Sequence, residues 1–410
     1  MRPIQLLPTF SLFVVVSLVA CKKTPGIVKP SDSTTTTSSS DTLSQNVYSI
    51  DSTTSPPQGI ILTAPFNFSL PTSDVVPGML LVMDQSGKVL MKKTTTGNAF
   101  DFERWVINGK TRYTYLVNDP TVFRPTGDVQ NAGYAIIADS NLNTLQQINF
   151  IPYAPAIFPS NQGLDVHDFV LISDSDYITL TYYWKFPTNI PVRLNPAPNV
   201  SVLTPVIEEV RDGAVVFHWD ASDDTSFYAN SIFDNDFSDT TTPQDYVHMN
   251  SMFVDPTDGN LICSMRDQDQ VIKINRQTGV VIWRLGGLNS DFPLTADQKF
   301  LYQHDATLTD SNQTLMLFDN GDVSLRPYTR ICEFHLNYAN KTVTSFRYFN
   351  IPEPFTQLTG SVQKFGDEYF IGGGTAQYML EVNPNTGQKI IEFQGNLASY
   401  RSFKYLTQGL

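Results

Sequence analysis

YVHMNSMFVDPTDGNLICSMRDQDQVIKINRQTGVVIWRLGG, from Tyr246 to Gly287, is the stretch that decides the fold. It predicts four short strands, at 248–254, 260–265, 270–274 and 280–284, separated by turns in which Asp, Asn, Pro and Gly concentrate. The β-branched residues between those turns favour strands. Because a four-stranded unit of this size cannot bury both of its faces alone, it requires neighbours built like itself.

The hairpin that ends this stretch recurs along the chain. An apolar strand, a turn and a second apolar strand follow one another six times, with turns at Gly87, Asn143, Gly213, Gly279, Asn340 and Gly387. Most of these hairpins follow a second hairpin of the same kind. Six repeats of four strands predict an all-β fold, a six-bladed β-propeller with four-stranded antiparallel blades. A β-sandwich, the main alternative, does not explain the sixfold recurrence. The first blade lacks an inner hairpin of its own, which we expect residues 399–406 to supply.

The N-terminal residues predict an exported, lipid-anchored protein. Arg2 precedes an apolar run at 10–20 that is too short to span a bilayer, so residues 1–20 indicate a signal peptide. Residues 18–21 (LVAC) resemble the bacterial lipobox, in which Cys21 becomes the lipidated first residue; an ordinary signal peptide with a chance cysteine is the alternative. Residues 21–58, rich in Ser, Thr, Asp and Pro, predict a flexible tether, which leaves 59–410 as the propeller. We expect the protein in the bacterial cell envelope, in the periplasm or at the outer membrane.

The charge balance narrows the range of partners. The 410 residues carry a formal net charge of −13 and contain no basic run, which argues against nucleic acid or an anionic membrane surface as a partner. We therefore expect membrane contact only through the lipid anchor. Beyond the tether the cysteines are Cys263 and Cys332, both in predicted strands. A disulfide and two buried free thiols are equally compatible with the sequence.

Three of the five histidines stand at the same place in their repeats. His167, His248 and His304 each open the first strand of a repeat, and the first strand of every propeller blade lines the central channel. The sequence therefore predicts three imidazoles side by side at one mouth of that channel. His218 and His335 fall in outer hairpins, where we expect structural roles.

Two further residues join this set by geometry. Asn250 is two positions after His248 and shares its face of the strand. Arg266 ends the second strand of the same blade, which returns to the face where the first strand begins. Three imidazoles, an amide and a planar guanidinium together form a receptor for a tetrahedral oxyanion. Asp168 and Asp305, which follow their histidines, are expected to point to the opposite face and to be structural.

Other kinds of site fit the sequence less well. Three histidines can bind zinc, but Arg266 would place a fixed positive charge beside the dication, so we predict no metal. The chain has no GxSxG nucleophile elbow and no P-loop for a nucleotide donor.

The motifs around these residues resemble those of the bacterial arylsulfate sulfotransferases (aryl-sulfate:phenol sulfotransferases). They are VHDF at 166–169, YVHMNSM at 246–252, MRDQDQVIKI at 265–274, TGVVIWRLGG at 278–287 and QHDATL at 303–308. The resemblance extends from about Ile60 to the C-terminus and implies a six-bladed propeller. It also implies sulfuryl transfer from an aryl sulfate to a phenol by a ping-pong route through a sulfohistidine, with no nucleotide donor or other cofactor.

By this resemblance His304 is the nucleophile that takes the sulfuryl group, and His248, Asn250 and Arg266 hold the sulfuryl oxygens. His167 assists as an acid or base, or as a further ligand of those oxygens. The acceptor side has no residue-by-residue match. Four aromatic residues are candidates either for an acceptor pocket or for ordinary core packing: Tyr182, Tyr183, Trp184 and Tyr302.

Two other functions stay open at this point. A non-catalytic propeller would bind an anionic glycan or a partner protein, although a pure binder needs no free nucleophile. A related hydrolase would use water in place of the phenol. The partners that the resemblance implies are small molecules, an aryl sulfate and a phenol.

Overall fold

The structure is a computed structural model that describes residues 48–52, 59–67, 77–122, 132–154 and 156–406. Its six antiparallel sheets form a six-bladed β-propeller, as predicted. Helix is scarce among the described residues: α1 (Ser226–Asn230) is a single turn, and five 3-10 turns lie at Val192–Leu194, Ala221–Asp223, Arg266–Gln268, Ala296–Gln298 and Gly374–Ala376. None of these helices has the length and apolar composition needed to cross a membrane. The predicted signal peptide and Cys21, the predicted lipidation site, lie outside the described residues.

The blades follow one another along the chain, each written here from its innermost to its outermost strand. The first is β26 (Ala398–Leu406), β2 (Gly59–Phe66), β3 (Met79–Asp84) and β4 (Val89–Thr94). The second is β5 (Ala99–Ile107), β6 (Lys110–Asn118), β7 (Ala132–Ala138) and β8 (Thr144–Ile148), with β9 (Leu164–Asp165) also paired to β7. The third is β10 (Phe169–Leu171), β11 (Asp176–Lys185), β12 (Val202–Arg211) and β13 (Ala214–Asp220).

The remaining blades repeat this order. The fourth is β14 (Met249–Val254), β15 (Leu261–Met265), β16 (Gln270–Ile274) and β17 (Val281–Gly286). The fifth is β18 (His304–Thr309), β19 (Thr314–Asp319), β20 (Arg330–Asn337) and β21 (Thr342–Asn350). The sixth is β22 (Ser361–Phe365), β23 (Glu368–Gly372), β24 (Tyr378–Asn383) and β25 (Gln388–Gly395), with β1 (Tyr48–Ser52) added outside β25.

Turn chemistry explains why the hairpins were predictable. In the fourth blade Asn275 follows β16, and its side-chain oxygen accepts hydrogen bonds from the backbone N–H groups of Gln277 (3.0 Å) and Thr278 (2.9 Å). Gly279 then takes a φ of +75°, which glycine adopts at no steric cost, and donates its N–H to the carbonyl of Asn275 (2.8 Å). All six predicted turns lie between the third and fourth strands of a blade.

The propeller closes through the C-terminal strand, as expected, but this segment supplies only the innermost strand of the first blade, and β2 supplies the second. β26 pairs antiparallel with β2, from Gly59 opposite Leu406 to Phe66 opposite Ala398. The C-terminus thus supplies the innermost strand of the blade that the N-terminal part begins. Ring closure of this kind leaves only short outer edges unpaired.

One strand lies in the segment assigned to the tether. β1 pairs with β25 along its whole length, from Tyr48 opposite Gly395 to Ser52 opposite Ile391. The ring of Tyr48 meets the edge of Phe393, with centroids 6.4 Å apart. β1 is therefore a strand of the sixth blade, although residues 48–52 lie before the predicted boundary at residue 59. The Ser and Thr content of 21–58 concealed this short run, in which apolar Tyr48 and Ile50 alternate with polar residues.

The core lies between the blades. The second and third strands of the fourth blade, β15 and β16, are fully buried, whereas the outermost β21 of the fifth blade consists of exposed and half-buried residues. Cys263 on β15 and Cys332 on β20 are both fully buried, belong to different apolar clusters and are free thiols. The sequence left a disulfide and two buried free thiols as alternatives, and the structure has the two free thiols.

Candidate active site

Three imidazoles meet where the inner strands of the third, fourth and fifth blades begin. His167 lies just before β10, His248 just before β14, and His304 is the first residue of β18. The ring centroids of His167 and His248 are 5.1 Å apart. The ring of Tyr400, on β26, lies 5.4 Å from that of His167 and 6.4 Å from that of His304. The structure therefore brings together the three histidines that the repeat pattern singled out.

Arg266 approaches the histidines from the end of β15. Its backbone N–H donates to the carbonyl of His248 (2.9 Å), because the second strand of a blade ends beside the start of the first. Its guanidinium lies over the ring of Tyr302, 4.4 Å from the centroid, and forms an ion pair with Asp267. The Nε atom is buried and has no hydrogen-bond partner among the described residues. A buried N–H in this state requires an acceptor, which a bound anion can supply.

Carboxylates hold the Nδ1 atoms of two of the histidines. His167 donates its Nδ1–H to Asp165 (2.6 Å), and His248 donates its Nδ1–H to Asp245 (2.7 Å). Each aspartate also accepts the backbone N–H of its own histidine, at 2.9 Å and 3.3 Å. Both imidazole rings are therefore oriented by an acidic residue two or three positions earlier in the chain.

His304 has a different Nδ1 environment. Among the described residues its Nδ1–H donates to the side-chain oxygen of Asn320 (2.8 Å) and to the carbonyl of Tyr302 (3.1 Å), both neutral. Asn320 is fully buried just after the end of β19. Because Nδ1 is used in this way, Nε2 is the nitrogen that carries the lone pair, and neutral imidazole with such a lone pair is a nucleophile.

Burial keeps two of the imidazoles neutral. Desolvation lowers the pKa of His248 to about 3, with Asp267 opposing this effect and the Arg266 charge adding to it. Desolvation also lowers the pKa of His304 well below its usual range, and the positive charge of Arg266 again contributes. Both rings are therefore uncharged at pH 7.

Asn250 lies near the histidines but is fully enclosed. Its side-chain N–H donates to the carbonyl of Gln303, the residue before His304 (2.9 Å). Its side-chain oxygen is buried without a hydrogen-bond partner among the described residues. In this structure Asn250 links the fourth and fifth blades. Its role as a ligand of sulfuryl oxygens stays a prediction.

A buried arginine lies on the channel side of the histidines. Arg401, on β26, donates hydrogen bonds to Asp101 (2.7 Å), to Asp168 (3.0 Å) and to the carbonyl of Asn250 (2.8 Å). Asp305 lies 3.9 Å from its Nε atom. We call Arg401 and these three aspartates the central clasp. Asp168 and Asp305 directly follow two of the site histidines and point away from them to Arg401, the structural arrangement expected from strand alternation.

The four predicted aromatic residues divide into two pairs. Tyr182 and Tyr302 lie at the site: the ring of Tyr182 is 6.4 Å from His167, and Tyr302 stacks on Phe233 with centroids 4.4 Å apart. Tyr183 and Trp184 contact other aromatic residues instead, Phe158 and Phe186 respectively. Tyr182 and Tyr302 are thus the two that could contact an aromatic substrate, while Tyr183 and Trp184 have packing roles.

One group of side chains has the spacing of a metal site. Ligand atoms of Asp245, His248 and Asp267 all lie within 4.8 Å of one another. However, Asp267 is paired with Arg266 and Asp245 accepts from His248 Nδ1. A dication there would meet the fixed charge of Arg266, so these residues fit an ion-pair network better than a metal centre.

Sequence reasoning missed several residues of the site. Asp165 and Asp245 could have been found, because each precedes a site histidine by two or three positions. Asn320 could also have been found, since it follows the second strand of its blade just as Arg266 does in the fourth blade. Tyr400 lies on β26, and only the pairing of β26 with β2, which closes the ring of blades, brings it near His167.

Comparison with known protein families gives a match over the C-terminal half of the chain. The family model Arylsulfotransferase (ASST) matches residues 199–405, just over half of the chain, from the end of the loop before β12 into β26. The matched region contains His248, Arg266 and His304, and His167 lies before it. A comparison with curated protein sequences finds no match.

Solved structures resemble the chain only distantly. A protein of unknown function from Bacteroides caccae has 11% identity and a TM-score of 0.45, and the alignment covers 85% of this chain and 99% of that one. A streptogramin B lyase has 12% identity and a TM-score of 0.40 over 82% of this chain and 87% of that one. Apo AztD from Citrobacter koseri has 7% identity and a TM-score of 0.38 over 85% and 99%. Similarity at this level carries no argument about function.

Proposed function

We propose a specific reaction for this chain, which belongs to the arylsulfotransferase (ASST) family. It moves a sulfuryl group from an aryl sulfate to a phenol, without a nucleotide donor, through a sulfohistidine at His304. The observation that carries this proposal is the meeting of three imidazoles with a guanidinium whose buried Nε lacks a partner among the described residues. Such a site is built for an anion with several oxygens.

In the first half-reaction the Nε2 lone pair of His304 attacks sulfur. The N–S bond forms, the S–O bond to the aryl oxygen breaks, and the aryl oxide leaves with that electron pair. Arg266 and His248 stabilise the charge that spreads over the sulfuryl oxygens. Because the pKa of His304 lies well below its usual range, the attacking ring does not have to lose a proton first.

In the second half-reaction a phenol takes the place of the departed aryl oxide. Its oxygen forms a new S–O bond, the N–S bond breaks, and the electron pair returns to Nε2 of His304. His167, held on Nδ1 by Asp165, accepts the proton of the phenol and returns it to the released aryl oxide or to water. This route uses no metal and no organic cofactor.

The location of this chemistry is also a proposal. The LVAC segment at 18–21 supports export and lipidation of Cys21, and residues 22–47 then separate the lipid from the first strand of the propeller. We place the enzyme in the bacterial cell envelope, where small phenols and aryl sulfates supply its substrates.

The test is phenol-dependent release of nitrophenolate from 4-nitrophenyl sulfate. Release that requires added phenol, together with a sulfated His304 trapped by mass spectrometry before phenol is added, supports the proposal. Release at the same rate without phenol means hydrolysis, and no release means that the site only binds anions; either result contradicts transfer. His304→Ala should abolish release, whereas His335→Ala, in the outer part of the fifth blade, should not.

A further inference from the structure

Hydrogen bonds fix the orientation of the Asn320 side chain. Its Nδ2 donates to the carbonyls of Thr356 (3.0 Å) and Thr359 (2.9 Å), which uses both amide hydrogens. The side-chain oxygen must therefore face His304, where it can only accept. The carbonyl of Tyr302, the other partner of His304 Nδ1, can also only accept. The hydrogen of the neutral ring is consequently on Nδ1.

The partner of His304 is also neutral, unlike the partners of the other two histidines. A carboxylate on Nδ1 favours the protonated imidazolium, because it attracts the positive charge. An amide oxygen orients the ring and sets the tautomer with much less of that effect. His304 is thus the site histidine whose Nδ1 partners favour an uncharged ring with a lone pair on Nε2.

We propose that Asn320 is a positioning residue that holds His304 in the Nδ1–H form with a neutral partner, so that Nε2 keeps its lone pair for attack on sulfur. The chemical purpose of this arrangement rests on the proposed sulfuryl transfer. The tautomer itself is a property of the resting protein and is measurable without turnover. During transfer the Nδ1 hydrogen stays on Nδ1, donated to Asn320, while the N–S bond forms and breaks at Nε2.

The titratable side chains around His304 act in the same direction as this neutral partner. Arg266, His167 and His248 all face the ring, and positive charge on any of them disfavours its protonation. The Tyr400 ring lies beside it, with centroids 6.4 Å apart. A carboxylate in place of the amide would oppose these groups, so Asn320→Asp should make His304 easier to protonate.

The first test is nitrogen NMR of protein labelled with ¹⁵N-histidine, which contains only five such residues. In the wild type the His304 signals, assigned with His304→Ala, should show the hydrogen on Nδ1. In Asn320→Leu a substantial share of the ring should shift to the Nε2–H form, because among the described residues only the carbonyl of Tyr302 then accepts from Nδ1. In Asn320→Asp the hydrogen should remain on Nδ1.

The second test is kinetic. Asn320→Leu should lower kcat about tenfold or more while KM changes less than about twofold, since a wrong tautomer removes the nucleophile without removing the anion receptor. Asn320→Asp should move the acid limb of kcat to higher pH by about one unit or more. Loss of structure alone would lower the active fraction without moving either the tautomer or the pH profile.

Asn230→Leu is the matched control. Asn230 is also a buried amide, but its Nδ2 donates to the carbonyl of Ser226 and not to a residue that bonds a site histidine. That variant should leave the His304 tautomer and the pH profile as in the wild type.

If His304 stays in the Nδ1–H form in Asn320→Leu, or if kcat of that variant equals that of the wild type, the inference is wrong. Should Asn320→Leu not fold, an unmoved acid limb in Asn320→Asp overturns it instead. If the wild-type protein shows no phenol-dependent release of nitrophenolate, the proposed function is wrong. The inference about Asn320 is still decided by the His304 tautomer that NMR measures.

Discussion

Arg401, on the strand that closes the propeller, donates a hydrogen bond of 3.0 Å to Asp168, the residue that follows His167. The same guanidinium reaches Asp101 in the second blade and lies near Asp305 in the fifth. One side chain from the C-terminal strand therefore ties together inner strands that are widely separated in sequence. Ring closure and the placement of the site histidines depend on the same residue.

Replacing Arg401 with methionine should strongly destabilise the fold. The change would leave the buried carboxyl groups of Asp101, Asp168 and Asp305 without their cation, and breaking a buried ion pair in this way costs about 3–5 kcal/mol. The free energy of unfolding in urea measures the effect.

Arg211→Met is the comparison for Arg401→Met. Arg211 also forms two ion pairs, with Asp176 and Glu209, but its side chain is 55% exposed. Exposed pairs contribute about 0–1 kcal/mol, so this variant should stay close to the wild type. Equal losses in the two variants would mean that the central clasp does not stabilise the ring.

Replacing Arg266 with lysine should impair turnover more than it impairs the fold. Lysine retains the positive charge but not the planar set of donors, and the loss of one well-placed donor to a transition-state oxyanion costs about 100-fold in rate. Steady-state kinetics with 4-nitrophenyl sulfate and phenol give kcat/KM for this comparison.

Arg284→Lys is a close match for Arg266→Lys. Both side chains are 17% exposed, each pairs with an aspartate, and each lies over an aromatic ring. Arg284 sits on the outermost strand of the fourth blade and should tolerate the change with little loss of kcat/KM. If Arg266→Lys also retains normal turnover, then Arg266 is a structural residue.

The histidines could be predicted because they repeat. His167, His248 and His304 occupy one position of a recurring unit, and the fold converts equal positions in neighbouring blades into neighbours in space. Asp101 of the central clasp occupies the corresponding place in the second blade, but no histidine precedes it. Nothing in the local sequence therefore marked Asp101 as part of the same network.

The strand at Tyr48–Ser52 could not be predicted from composition. Most of residues 21–58 are small and polar, and a five-residue strand within them changes the average very little. What makes Tyr48–Ser52 a strand is the open edge of β25, a tertiary feature. Hairpin turns, by contrast, are encoded locally by Asn, Asp and Gly, so their positions were predicted correctly.

A chain shortened to begin at residue 59 should be less stable than one that begins at residue 46. The shorter chain loses β1, the half-buried ring of Tyr48 and the cover that β1 gives to β25, a loss of about 2–3 kcal/mol. Urea unfolding of the two shortened chains gives the difference directly. Equal midpoints would show that β1 adds nothing to the sixth blade.

Glu208 gives the protein a pH dependence of stability that a single substitution can reveal. Its side chain is buried on β12, and neither carboxyl oxygen has a hydrogen-bond partner among the described residues. Burial raises the pKa of Glu208 to about 8. The folded state therefore holds a proton that the unfolded chain releases above about pH 4.5, and the free energy of unfolding falls as pH rises from there through about 8.

Glu208→Gln removes this titration and should therefore gain stability relative to the wild type as pH rises. The two proteins should unfold at similar urea concentrations at pH 5, and at pH 9 the variant should be more stable by on the order of 2 kcal/mol. Titratable groups that the two proteins share cancel in the difference between their free energies of unfolding.

Glu209→Gln is the control. Glu209 accepts hydrogen bonds from Arg276 (2.6 Å) and Arg211 (3.1 Å), so its neutralisation should cost stability at pH 9. A difference between Glu208→Gln and the wild type that does not grow from pH 5 to pH 9 would mean that Glu208 is ionised in the folded protein, with a partner that offsets its burial.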